Sequence, residues 1–137
     1  MRAVRLALLA LVVLAGCGDA EKATALEGPV TYERSGGIAG RRDRLVVQPD
    51  GSARLTVRDT TKSIRITGRE LVRLGRDLEE ADLGSVPRSS GTRRPVPDAF
   101  RHRVVYGGVT VDAADPRMPA RLRGLMTRLS GLVERYE

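Results

Sequence analysis

The stretch LVVQPDGSARLTVRDTTKSIRIT, Leu45 to Thr67, decides the fold. Leu45-Val46-Val47-Gln48 is a short apolar run that meets Pro49-Asp50-Gly51-Ser52, a strong turn signal, and Arg54 to Arg58 returns as its hairpin partner. Asp59-Thr60-Thr61-Lys62 makes a second turn into Ser63-Ile64-Arg65-Ile66-Thr67. Links this short permit only antiparallel neighbours, so the stretch predicts a three-stranded meander.

Upstream, Val30, Tyr32 and Arg34 alternate with Thr31 and Glu33, the period of a strand. Ser35 to Gly40 is a glycine-rich loop, and Arg41 to Arg44 is a charged approach to the meander. Downstream, Thr67 followed by Glu70 matches a capping box, with Leu71, Leu74 and Leu78 along one helical face behind it. This helix is expected to end before Gly84, and its acidic residues Glu79, Glu80 and Asp82 read as a solvated face. Ser85 to Pro97, with three prolines, three serines and two adjacent arginines, reads as a long exposed loop. Phe100 to Tyr106 is a further strand, Gly107-Gly108 a tight turn, and Val109-Thr110-Val111 pairs back. A final helix starts around Pro119, where Leu122, Leu125, Met126, Leu129, Leu132, Val133 and Tyr136 form one apolar stripe. The order β-β-β-β-α-β-β-α predicts an α+β domain: an antiparallel sheet of about five or six strands with two helices packed on one face. The domain is expected to run from Pro29 to Glu137, without internal repeats.

The N-terminus has a different character. Met1, Arg2 and Arg5 precede nine apolar residues, Leu6 to Leu14, and a small-residue exit, Ala15-Gly16, which together make a secretory signal. The apolar run is far shorter than the roughly 20 residues a bilayer span needs. Leu14-Ala15-Gly16-Cys17 resembles a bacterial lipobox, in which the cysteine sulfur takes a diacylglyceryl group and the preceding peptide is cut away. Residues 1–16 are then the signal, Cys17 the lipidation site, and 17–28 a small, polar tether. Cys17 is the one cysteine in the chain, so no disulfide can help and packing alone must hold the fold. The expected location is the extracytoplasmic face of the cell membrane, with the acyl chains in the bilayer.

The formal net charge is +7, or about +5 once Arg2 and Arg5 are gone. Only Lys22 and Lys62 are lysine; the other basic residues are arginine. Outside the membrane there is little nucleic acid to bind, so such a surface faces solvent, anionic lipid, wall polymer or an acidic protein. Enzymatic motifs are missing: there is no zinc-protease helix, phosphate loop or serine elbow, and no cofactor or metal set is expected. The single histidine, His102, lies between Arg101 and Arg103 and is expected at an exposed strand position. One phenylalanine, three tyrosines and no tryptophan leave little for stacking on sugars or bases.

The loop stands out from this background. Gly36, Gly37 and Gly40 allow positive φ and close approach by another chain, and Ile38 lies at the tip. An isoleucine buried in a partner's pocket contributes about 1.5–3 kcal/mol. Two other readings stay open: Ile38 folded back onto its own core, or glycine amides forming an anion nest backed by Arg41, Arg42 and Arg44.

The run Glu33-Arg34-Ser35-Gly36-Gly37-Ile38-Ala39-Gly40 resembles the N-terminal motif of the emfourin family, small proteins that inhibit thermolysin-like zinc metalloproteases such as protealysin. Asp98-Ala99-Phe100, Tyr106, and Met118-Pro119 leading to Leu122 and Leu125 are similar as well. The resemblance implies a non-enzymatic protease inhibitor whose binding loop is Arg34, Ser35, Gly36, Gly37, Ile38, Ala39 and Gly40, and the lipobox adds the membrane anchor. The alternative is a non-inhibitory envelope lipoprotein that holds wall polymer or a membrane protein through its arginines.

Overall fold

The computed structural model describes residues 26–90 and 96–137. Its elements follow the predicted order with one unpredicted strand, β5, added: β1 Val30–Gly36, β2 Arg41–Val47, β3 Ser52–Val57, β4 Thr60–Arg65, α1 Gly68–Ala81, β5 Ser89–Ser90, β6 Phe100–Tyr106, β7 Val109–Ala114 and α2 Ala120–Tyr136. They form one sheet in the order β4-β3-β2-β1-β6-β7-β5. Six strands are antiparallel, and two-residue β5 runs parallel to the rim of β7. The chain is therefore α+β, with β1 joining the meander to the β6–β7 hairpin.

Alternation assigns the two faces. Val30, Tyr32, Leu45, Val47, Leu55, Val104 and Val111 are fully buried on the inner face, beneath Leu74 and Leu78 of α1 and Leu122, Leu125, Leu129 and Val133 of α2. Each such side chain contributes about 1.5–3 kcal/mol on leaving water. Among the described residues no layer covers the outer face, which is mostly polar, as one-sided antiparallel sheets are. Among the described residues every core residue lies between Leu26 and Val133, and a chain beginning at Gly18 keeps them all.

Thr67 caps α1 with both halves of the expected box: its Oγ1 accepts from the Glu70 amide, and its own amide donates to Glu70 Oε2 at 3.0 Å. Glu70 also receives the Tyr136 hydroxyl at 3.0 Å and pairs with Arg135, so one carboxylate ties the start of α1 to the end of α2. Burial alone would raise the Glu70 carboxyl, but the Thr67 and Tyr136 donors outweigh it and hold it below its ordinary value. Asp82, at φ 43°, ends α1 in the left-handed conformation.

Several boundaries differ from expectation. The sheet extends further toward the Ser35–Gly40 segment, because Arg34 pairs with Asp43 and Gly36 with Arg41 across the ladder; the charged approach is itself strand. The β3–β4 turn narrows to Arg58-Asp59, since Val57 already faces Thr60. Leu26 is buried and the Glu27 amide donates to the Tyr106 hydroxyl at 3.1 Å, so packed structure starts before Pro29. The expected exposed loop after Ser85 in fact buries Val86 and lays β5 on the sheet edge. The signal segment, Cys17 and most of the tether lie outside the described residues.

Candidate functional site

The β1–β2 connection is a four-residue turn, Gly37-Ile38-Ala39-Gly40, closed by the Gly40 amide donating to the Gly37 carbonyl at 3.0 Å. Two of its glycines answer a steric demand. Gly36 has φ +110°, and a Cβ there would lie 2.5 Å from the Ala99 carbonyl oxygen. Gly37 has φ +71°, and a Cβ would lie 2.8 Å from Phe100 Cζ. Neither site accommodates a side chain without moving backbone or ring. The turn is thus seated directly on the first residues of β6.

Phe100, the floor of that seat, is braced from within. The Arg34 guanidinium lies 5.2 Å from its ring centroid, a cation–π contact. Arg34 Nε and Nη2 donate to Asp43 Oδ2 at 3.0 and 2.8 Å, and Nη1 donates to Glu134 Oε1 of α2 at 3.0 Å. Arg41 Nε adds a second cation to Asp43 at 3.3 Å. On this support Ile38 is 92% exposed, the most exposed large hydrophobic side chain among the described residues. A rigid, glycine-clamped base with a bare aliphatic tip is the inverse of a core-directed hairpin, and the reading in which Ile38 folds back is excluded by its exposure.

The seven loop residues expected to act together do not share one environment. Arg34 is a correction: it is 4% exposed, held on the inner face by Asp43 and Glu134, and does not project with the turn. Ser35 is exposed on the outer face, Gly36 ends β1, and only Gly37 to Gly40 form the projecting turn. The anion-nest reading loses its backing, because Arg41 turns inward toward Asp43 and Glu137 whereas Arg42 and Arg44 lie on the outer face.

His102 is a second correction. It is buried, with Nδ1 2.8 Å from the Tyr32 hydroxyl and Nε2 3.3 Å from Asp115 Oδ2. The Tyr32 oxygen is also 2.7 Å from Ser130 Oγ. Burial depresses the imidazole below its ordinary value, against the pull of Asp115 and with the help of Arg34. Burial likewise pushes the Tyr32 phenol up to about 12. Both shifts favour the neutral form, so around neutral pH the phenol and the imidazole of the linked Ser130–Tyr32–His102–Asp115 set are uncharged. Ser130, His102 and Asp115 line an open cleft of about 690 Å³ between the sheet and α2, beside the Phe100 seat, with Tyr32 enclosed beneath them. The flanking arginines misdirect the sequence argument: successive strand residues point to opposite faces, so Arg101 and Arg103 say nothing of where His102 points. Its partners at i ± 2, Phe100 and Val104, carried the signal.

Glu79, Glu80 and Asp82 are exposed, and among the described residues no group of three histidine, cysteine or carboxylate side chains is placed to hold a metal. No described helix is long and apolar enough to cross a membrane. A scan against protein-family models and a search of curated proteins each find no match to this chain.

Proposed function

We propose that this chain binds and inhibits a thermolysin-like zinc metalloprotease by seating the Ile38 turn in the enzyme's cleft, while Cys17 anchors it at the outer face of the membrane. The observation that carries the reading is Ile38, 92% exposed at the tip of a turn whose first glycines lie against Ala99 and Phe100. Proteases of this class favour a bulky aliphatic or aromatic residue just after the scissile bond, held in an apolar pocket beside the zinc. The resemblance of Glu33 to Gly40 to the emfourin motif supports the same assignment.

The geometry explains why such a ligand would block and not be consumed. A cleavable peptide must lie extended, whereas Gly37 to Gly40 is closed by a hydrogen bond and both flanking strands are paired in the sheet. The turn and the tether leave opposite ends of β1, a seven-residue strand of about 20 Å. An anchored domain therefore holds Ile38 clear of the point where its tether enters.

The test is inhibition of a thermolysin-like protease by the chain beginning at Gly18. Ile38→Asp places a charge in an apolar pocket and is expected to weaken inhibition at least about a hundredfold. Ile38→Leu is expected to retain it, with denaturation midpoints unchanged in both. Inhibition by Ile38→Asp as tight as by the unsubstituted chain, or none by either, would overturn the proposal.

A further inference from the structure

Among the described residues the open face of the sheet holds the excess of positive charge. Arg42 and Arg44 of β2, Arg54 of β3, Arg65 of β4, and Arg101 and Arg103 of β6 alternate outward and are all exposed. Only Glu33 and Asp112 oppose them there, Glu33 at 3.6 Å from Arg44 and Asp112 at 2.7 Å from Arg103. Arg42, Arg54 and Arg101 make no ion pair among the described residues, and Arg65 donates to the Asp50 carbonyl. Over the rest of the described chain, basic and acidic side chains are equal in number, thirteen of each. Among the described residues, therefore, the excess positive charge resides on this one face.

We infer that the open sheet face docks on an anionic lipid bilayer. The face is broad and carries no aromatic side chain, since Tyr32, Phe100 and Tyr106 all lie on the inner side of their strands. It has nothing to stack on a base or a sugar ring, and its arginines suit phosphate groups laid out in a plane. Arg42 and Arg101 flank Ser35 in one cross-strand row, two strand spacings or about 10 Å apart. That separation is close to one Debye length, so the cations act on a charged surface as a patch. Acylation of Cys17 would hold the face near such a bilayer, but the charge arrangement stands without it and without the Ile38 reading.

Two charge-matched double variants of the unacylated chain beginning at Gly18 test the inference in a vesicle co-sedimentation assay. Arg42→Glu with Arg101→Glu alters the open face; Arg69→Glu with Arg73→Glu makes the same change in net charge on α1. The unsubstituted chain is expected to bind phosphatidylcholine vesicles containing phosphatidylglycerol, to ignore pure phosphatidylcholine, and to release with added salt. The open-face variant is expected to lose at least about tenfold in partitioning and the α1 variant less than about twofold. Equal losses in the two variants would show that net charge alone matters and overturn the inference. So would binding to soluble polyphosphate or polyglutamate without binding to the vesicles, which would point to a polymer.

Discussion

Arg34 and Asp43 face each other across β1 and β2, with side chains 5% and 0% exposed. Desolvating two charges is costly, and the pair holds because three arginine nitrogens find carboxylate oxygens. Asp43 Oδ1 accepts no hydrogen bond among the described residues, so Asp43 depends on its other oxygen. Arg34→Met should destabilise the domain by about 3 kcal/mol, because it strands a buried carboxylate and leaves only Arg41 beside it. Arg34→Met combined with Asp43→Leu should recover most of that loss. Urea midpoints across the four chains check the coupling; additive effects would mean that the pair is not a unit. The alternation of Val30, Tyr32 and Arg34 already put Arg34 on the inner face, and Asp43 precedes Leu45 by the same step. What the sequence concealed was that the two charges meet and that Glu134, a hundred residues on, completes the set.

At the level of elements, α2 is the most legible part of the chain, because seventeen residues give a 3.6-residue period room to declare itself. Leu125 and Leu129 are 1% and 0% exposed, one turn apart against the sheet. Leu129→Ala should cost about 2–5 kcal/mol in urea unfolding, against about 1 kcal/mol for Thr67→Ala, which removes only the cap of α1. A cap loss as large as the core loss would mean that Glu70's bonds to Thr67, Arg135 and Tyr136 act as one network. Strand ends were less legible than helices. The β1–β2 turn is short only because Arg34–Asp43 and Gly36–Arg41 extend the ladder, a long-range effect no local propensity records. β5 left no trace, since two serines gain strand geometry only from β7.

For the whole molecule, stability should be bounded in pH by two buried neutral groups that touch. His102 is depressed below its ordinary 6.5 by burial, so its contribution is full above that pH and is lost as pH falls through the lower folded value. Tyr32 is raised from 10.0 to about 12, so its contribution is full below pH 10 and is lost as pH rises toward the folded value. Urea midpoints are expected to form a plateau between those limits, with His102→Gln flattening the acid shoulder. An unchanged acid shoulder in that variant would assign the loss to carboxylates, which titrate nearer pH 4. The edges of the sheet limit self-association: β4 is exposed, polar and carries Lys62, and β5 lies along part of β7. The burial of Tyr32 has a practical consequence too. The chain has no tryptophan and three tyrosines, and only Tyr32 is fully enclosed. Its phenolate absorbance should therefore emerge late and abruptly in an alkaline titration, when the domain opens. The protein carries its own optical indicator of integrity, and a loop variant that loses binding can be told from one that has unfolded without attaching any label.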